Sequence, residues 1–247
     1  MSKVSLPSLL LGFFLLATVS CSPHQPRIVS EEMTQIDNPE VSQAFYAELK
    51  GKPDYYQIKS EKSFKLYVGI LVPDLEGIDK DISVEVRRED RETEEMPAQK
   101  AEEEEALIIL NGLEYEWNRL YEPFGGDWYW EGPEFRDNSS EKKLPEGIEV
   151  DKGTYTIKVF SPDNEGKYAL VVGEREEFPL QEMVQTLFTL PKLKAEFFER
   201  SPWTAYFNLV GVFLAISIGI LVGIIVAVVV LVKRIKRARR PKLTQRK

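Results

Sequence analysis

Between Trp117 and Phe135 the chain gathers seven aromatic side chains, Trp117, Tyr121, Phe124, Trp128, Tyr129, Trp130 and Phe135, among the carboxylates Asp127, Glu131 and Glu134. Aromatic faces beside carboxylates can stack on sugar rings and accept hydrogen bonds from their hydroxyls. Trp117, Tyr121, Trp128, Tyr129 and Trp130 are therefore the candidate ligand or partner surface. The competing expectation is that these rings fill a core and its covering loop, the usual place for large aromatics. Asp127 and Glu131 also raise a glycosidase reading, in which two carboxylates flank the scissile bond.

Nothing else in the sequence supplies catalysis. Nucleophilic triads need a base, and the one histidine, His24, stands near the N-terminus beside the one cysteine, Cys21. A Cys–His metal site within the folded region is excluded by that count. No phosphate-cradling Gly-Lys-Ser loop and no dinucleotide fingerprint occurs. The acidic run Glu102 to Glu105 lacks the Asp, Asn and Gly spacing of a calcium cage and reads as part of a solvated loop over 87–105. The expectation is a protein that is not an enzyme and holds no cofactor and no metal.

The elements that must position the aromatic residues are framed by two apolar segments. From Trp203 to Val232 no side chain is charged, and Lys233-Arg234-Ile235-Lys236-Arg237 follows. A bilayer core needs about 20 apolar helical residues, and backbone in lipid must satisfy its own hydrogen bonds, so 203–232 is read as a single transmembrane helix. Basic residues beside a span stay on the cytoplasmic side. The tail 233–247 is thus cytoplasmic, and the N-terminal domain is extracytoplasmic at the cell membrane. Residues 1–20, with Lys3 before the apolar run Leu6 to Val19, read as a secretory signal peptide.

Charge divides along the same line. All 40 acidic residues lie between Ser22 and Pro202, against 22 of the 32 basic ones, a net −18; the tail carries +9. A face this acidic excludes nucleic acid as a partner. The basic tail suits anionic lipid. With no cysteine after Cys21 the exported region forms no internal disulfide, which favours a prokaryotic source. Asn138-Ser139-Ser140 is then a chance sequon.

Residues 21–39 are polar with Pro23 and Pro26 and read as a tether. From residue 40 short alternating runs suit strands at Gln43 to Leu49, Asp54 to Lys59, Phe64 to Leu71, Asp81 to Arg87, Ala106 to Leu110, Tyr115 to Leu120, Gly153 to Phe160 and Tyr168 to Val172. Eight short strands without intervening helices predict a mainly β fold, an antiparallel β-sandwich or jelly roll over 40–175. Leu180, Met183, Val184, Leu187 and Phe188 then take helical spacing, so 176–202 is an amphipathic juxtamembrane helical segment, broken or restarted at Pro191. It packs on the domain or lies at the interface, with Trp203 and Tyr206 as an aromatic belt. Within the span Gly211, Ala215, Gly219, Gly223 and Ala227 recur every fourth residue, a helix-packing stripe for a homodimer or another membrane protein.

Two resemblances sharpen this frame. Thr18-Val19-Ser20-Cys21 resembles a bacterial lipobox, which would make Cys21 a lipidation site; Thr18 departs from the usual Leu, and plain signal cleavage between Ala17 and Ser22 is the alternative. Val41-Ser42-Gln43-Ala44-Phe45, Asp54-Tyr55-Tyr56 and the Phe64 to Ile70 strand resemble the opening of the bacterial pre-peptidase C-terminal domain. Gly153-Thr154-Tyr155-Thr156-Ile157-Lys158-Val159 and Gly166-Lys167-Tyr168-Ala169-Leu170-Val171-Val172 are similar to its closing hairpin. The resemblance spans residues 40–173, with the acidic and aromatic middle departing from it. It implies a secreted β-sandwich and no activity. The layout is also similar to single-pass surface proteins of bacteria and archaea. The function expected is a non-catalytic interaction or envelope-organising role; the alternatives are a cell-surface glycan-binding module and a membrane-tethered hydrolase.

Overall fold

In a computed structural model, which describes residues 24–31, 33–89, 106–135, 147–177 and 179–238, the chain forms thirteen strands, and the expected period-two runs supply β3 to β9, β12 and β13 among them. They are β1 (Gln25–Ile28), β2 (Met33–Ile36), β3 (Gln43–Lys50), β4 (Asp54–Ser60), β5 (Phe64–Leu66), β6 (Val68–Pro73), β7 (Ser83–Glu89), β8 (Ile108–Leu110), β9 (Asn118–Glu122), β10 (Asp127–Phe135), β11 (Ile148–Val150), β12 (Gly153–Phe160) and β13 (Glu165–Val172). Six form one sheet in the order β1-β3-β13-β6-β10-β9, and five form another in the order β2-β4-β12-β7-β8; β5 and β11 pair separately. The signal peptide, Cys21, the Glu102 to Glu105 run, the Asn138 sequon and residues 239–247 lie outside the described residues.

The mainly β sandwich holds, and alternation explains its core. Phe45 and Leu49 of β3, Tyr56 and Ile58 of β4, Val68, Ile70 and Val72 of β6, and Tyr155, Ile157 and Val159 of β12 share one buried cluster. Across it the Tyr168 hydroxyl of β13 meets the Tyr56 hydroxyl of β4 at 2.8 Å and donates to Asp54 Oδ2 at 2.7 Å. That chain of polar groups pins one sheet to the other. In β13 the residues between the inward ones, Ala169 and Val171, are buried as well, because its outer face is also covered. A strand covered on both faces reads as a continuous apolar run.

Five expectations need correction. Residues 21–39 are not simply a tether: β1 and β2 lie within them and pair in parallel with β3 and β4. The two sheets are therefore mixed rather than wholly antiparallel. β12 and β13 form no hairpin; β12 pairs with β4 and β7, β13 with β3 and β6, and the Ser161 turn carries the chain from one sheet to the other. The run Phe64 to Leu71 splits at Tyr67, whose carbonyl accepts from Gly173 N at 3.2 Å instead of continuing a ladder. Helix α1 (Leu180–Glu196) passes through Pro191 without breaking.

After α1, a 3-10 turn over Pro202–Tyr206 leads into α2 (Leu209–Ala238). Leu209–Arg237 is long and apolar enough to cross a membrane, and its most apolar stretch has a mean hydropathy of 3.2. The helix thus begins at Leu209 rather than at Trp203. Asn208 sets that boundary: its Oδ1 accepts from Gly211 N at 3.1 Å, the action of an N-cap.

Candidate functional site

Strand alternation decides the fate of the aromatic residues. Along β10, Trp128 and Trp130 point to one face, and Asp127, Tyr129 and Glu131 to the other. β9 aligns Tyr121 with Trp128 and Arg119 with Trp130. Trp130 and Trp117 pack on the margin of the sandwich core. Trp117 donates Nε1–H to Gly112 O at 2.9 Å, and its ring lies against Gly132, where an added Cβ would come within 2.5 Å. Lys80 Nζ sits 4.0 Å from the Trp130 ring centroid.

Of the five expected surface aromatics, the structure brings two together in the open. The Tyr121 and Trp128 ring centroids are 5.0 Å apart. Arg119 stacks over Trp128 at 4.3 Å and holds Asp74 Oδ2 through Nε at 2.9 Å and Nη2 at 2.6 Å. Tyr129 departs from the expectation: it is buried on the opposite face, where its hydroxyl meets that of Tyr46 at 3.0 Å. Burial holds both phenols well above their ordinary pKa.

Asp127 and Glu131 share a face, but they lie four positions apart along β10, roughly 13 Å, beyond the spacing of paired glycosidase carboxylates. Asp127 is instead enclosed. Lys194 of α1 donates to its Oδ2 and to Gly125 O, the latter at 2.7 Å, and the Lys194 and Asp127 side chains are 2% and 3% exposed. Arg200 Nη1 stands 3.5 Å from Asp127 Oδ1. Burial is the largest influence on the Asp127 carboxyl and raises its pKa, while the hydrogen bond and charge of Lys194 and the charge of Arg200 oppose the rise.

Around this pair a second apolar cluster joins α1 to the six-stranded sheet. Leu190, Leu193, Phe197 and Phe198 cover Ala169 and Tyr129. Phe197 meets Tyr46 edge-on at 5.0 Å, and Phe198 meets Tyr129 at 5.3 Å. The buried side of α1 is therefore shifted from the expected stripe: Met183 and Leu187 are half-buried, while Leu180, Val184 and Phe188 face outward. Tyr206 donates its hydroxyl to Leu187 O at 3.1 Å, so it is committed to α1 rather than to a belt. Asn208 Nδ2 donates to Gly125 O at 2.7 Å and to Ala205 O at 2.9 Å. The β9–β10 turn, α1 and the root of the apolar helix are thereby one packed unit, a neck that the sequence did not disclose.

His24 lies against Ser42, with Nδ1 2.5 Å from Oγ. A Ser–His contact invites a nucleophile reading, but Ser42 is 1% exposed and opens to no substrate. Desolvation lowers the His24 pKa to about 4, so the ring is neutral, and its hydrogen bond with Ser42 fastens the start of β1 to the start of β3. A cleft of about 660 Å³ opens where the chain crosses from β1 to β2. Its polar groups serve the fold: Gln43 donates to Asp37 O at 2.9 Å, and Arg27 to Glu182 at 2.8 Å and Gln25 at 2.6 Å. Among the described residues, no three His, Cys, Asp or Glu side chains gather as a metal site.

In α2 the small-residue stripe divides. A Cβ at Gly211 would fall 1.6 Å from Tyr206 O, so Gly211 serves the neck and is not free to face a partner. Gly219 and Gly223 have open space, and Ala215 and Ala227 are exposed.

No protein-family model matches the chain, and no curated protein matches it. Among solved structures it is similar to the pre-peptidase C-terminal domain of a collagenase from Bacillus anthracis, at 12% identity over 58% of this chain and 96% of that one, with a TM-score of 0.31. It is also similar to CorA, a surface-associated copper-binding protein important in copper acquisition in Methylomicrobium album BG8, at 11% identity over 61% of this chain and 100% of that one, with a TM-score of 0.26. The first is the family whose strand sequences the chain resembles. Both likenesses are distant, and nothing about function follows from them.

Proposed function

We propose that the chain is a single-pass membrane protein of a prokaryotic cell envelope, with the β-sandwich outside, the basic C-terminus in the cytoplasm, and a non-catalytic role in interaction or envelope organisation. The observation that carries this reading is the neck. Lys194 and Asn208 both donate to Gly125 O, so the sandwich is fastened at the root of the apolar helix instead of trailing on a flexible linker. A loose linker gives reach; a packed neck fixes the height and orientation at which a surface is presented, and it passes helix rearrangements in the membrane to the domain. The partner surface within the membrane is the exposed Gly219 and Gly223 side of α2, where backbones can approach closely. The orientation rests on the basic residues that follow the span.

In-cell crosslinking of the tagged full-length protein, followed by mass spectrometry, tests this. A discrete membrane protein or a second copy, captured by the wild type and lost on Gly219→Leu with Gly223→Leu, is the expected result. Equal capture by both proteins would remove the helix interface, and capture of wall fragments alone would favour the second reading. That reading is a glycan-binding module, and the open Tyr121–Trp128 pair is the observation in its favour. It requires soluble envelope oligosaccharides to quench tryptophan emission.

A further inference from the structure

We infer that the tip of the β9–β10 hairpin is a membrane-interface anchor, with Tyr121 and Trp128 seated among phospholipid headgroups. Asn208 is the residue before the apolar helix. Its amide donates to Gly125 O at 2.7 Å, and a Cβ added to Gly126 would lie 3.0 Å from Asn208 Cβ. The backbone at Gly126 has φ +76°, a turn conformation that favours glycine and lets the tip come this close. The tip is thus held at the root of the membrane helix. Trp128 is two strand residues from Gly126, roughly 7 Å, and Tyr121 is its cross-strand partner. The polar headgroup layer is itself several ångströms thick on each side of the hydrocarbon. A tip fixed at the helix root therefore places these rings in that layer.

Exposure fits the placement. Tyr121 is 46% exposed and Trp128 37%, on the sheet face away from α1. On the α1 side Phe188 is 71% exposed, Trp203 75% and Phe207 86%. Phe188 adjoins Leu187, whose carbonyl is bonded to Tyr206, so it too lies at the neck. Large aromatic side chains therefore stand open on both sides of the sheet end that meets the membrane helix. Tryptophan and tyrosine favour this layer because their rings are apolar and their N–H and O–H groups remain hydrated. Arg119, held by Asp74, stacks on Trp128. It also covers one face of the ring that a sugar would need.

The test uses the full-length protein in phosphatidylcholine nanodiscs containing lipid brominated at shallow acyl carbons, which quenches nearby tryptophans. Trp117 and Trp130 are packed in the sandwich, so Trp128 and Trp203 supply the quenchable emission and Trp128→Phe should remove about half of it. Adding Tyr121→Trp to that variant should restore quenching, a gain that misfolding would not produce. Quenching unchanged in Trp128→Phe and abolished in Trp203→Phe would overturn the inference. So would quenching of Trp128 by a soluble oligosaccharide with no response to brominated lipid, a result that leaves the packed neck and its interaction role untouched.

Discussion

Tyr206 donates its hydroxyl to the carbonyl of Leu187 at 3.1 Å, and Leu187 is the residue four before Pro191. Proline has no N–H, so that carbonyl lacks its intrahelical donor. The tyrosine of the following turn supplies the missing bond, which is why α1 runs on where sequence rules expect a break. Tyr206→Phe should destabilise the neck by about 1–2 kcal/mol. Pro191→Ala returns an amide to position 191, and in that background Tyr206→Phe should cost much less. Urea unfolding of the detergent-solubilised protein in a double-mutant cycle reads the coupling; additive effects would show that the two positions act independently.

The buried Lys194–Asp127 pair makes a second prediction. Removing one member of a buried ion pair strands the other, at about 3–5 kcal/mol, whereas replacing both with apolar residues can be nearly neutral. Lys194→Met alone should therefore open the neck, seen as faster amide exchange over residues 197–208. Lys194→Met with Asp127→Leu should recover most of the protection. Equal exchange in the single variant and the wild type would mean that the Phe197 and Phe198 packing holds the neck by itself.

His24 predicts a pH dependence. Its pKa is about 4 in the folded chain against an ordinary 6.5. The unfolded state therefore takes up a proton at higher pH than the native state does. Stability is complete above pH 6.5 and declines as the pH falls from 6.5 towards 4, because the native fold holds the ring neutral beside Ser42. The difference in urea midpoint between wild type and His24→Gln should shrink over that window. A constant difference would mean that His24 is charged in the fold or that β1 is already detached.

The sequence discloses an element when one face of it is dry and the other wet. Phe64, Leu66, Val68 and Ile70 alternate and become strands, although the break at Tyr67 leaves no trace in the pattern. β1 and β2 escape notice because Gln25-Pro26-Arg27-Ile28 and Met33-Thr34-Gln35-Ile36 are edge strands with few apolar positions. β10 escapes because Gly132 and Pro133 look like loop residues; they sit at the register shift between Glu131 and Glu134, where a strand tolerates proline. Lys194 was legible in principle. It falls at helical spacing between Leu190 and Phe197, and a lone lysine on an apolar stripe signals a buried partner. The partner itself, Asp127, is 67 residues away, and its distance in sequence hides it.

The last prediction separates two roles within one stripe of small residues. Gly211 and Gly219 look equivalent in sequence, yet a Cβ at Gly211 would meet Tyr206 O at 1.6 Å while one at Gly219 meets nothing within 4 Å. The contact at Gly211 is with backbone, so no side-chain rotation relieves it. Gly211→Ala must displace the first turn of α2 from the neck, at about 1–3 kcal/mol. It should also weaken the Asn208 link to Gly125, which faster amide exchange in the β9–β10 turn would report. Gly219→Ala should leave that turn unchanged and, through helix propensity, slightly favour the helix. If the two variants behave alike in the turn, then α2 enters the neck by a different path, and the coupling between α2 and the sandwich would have to run through α1 alone.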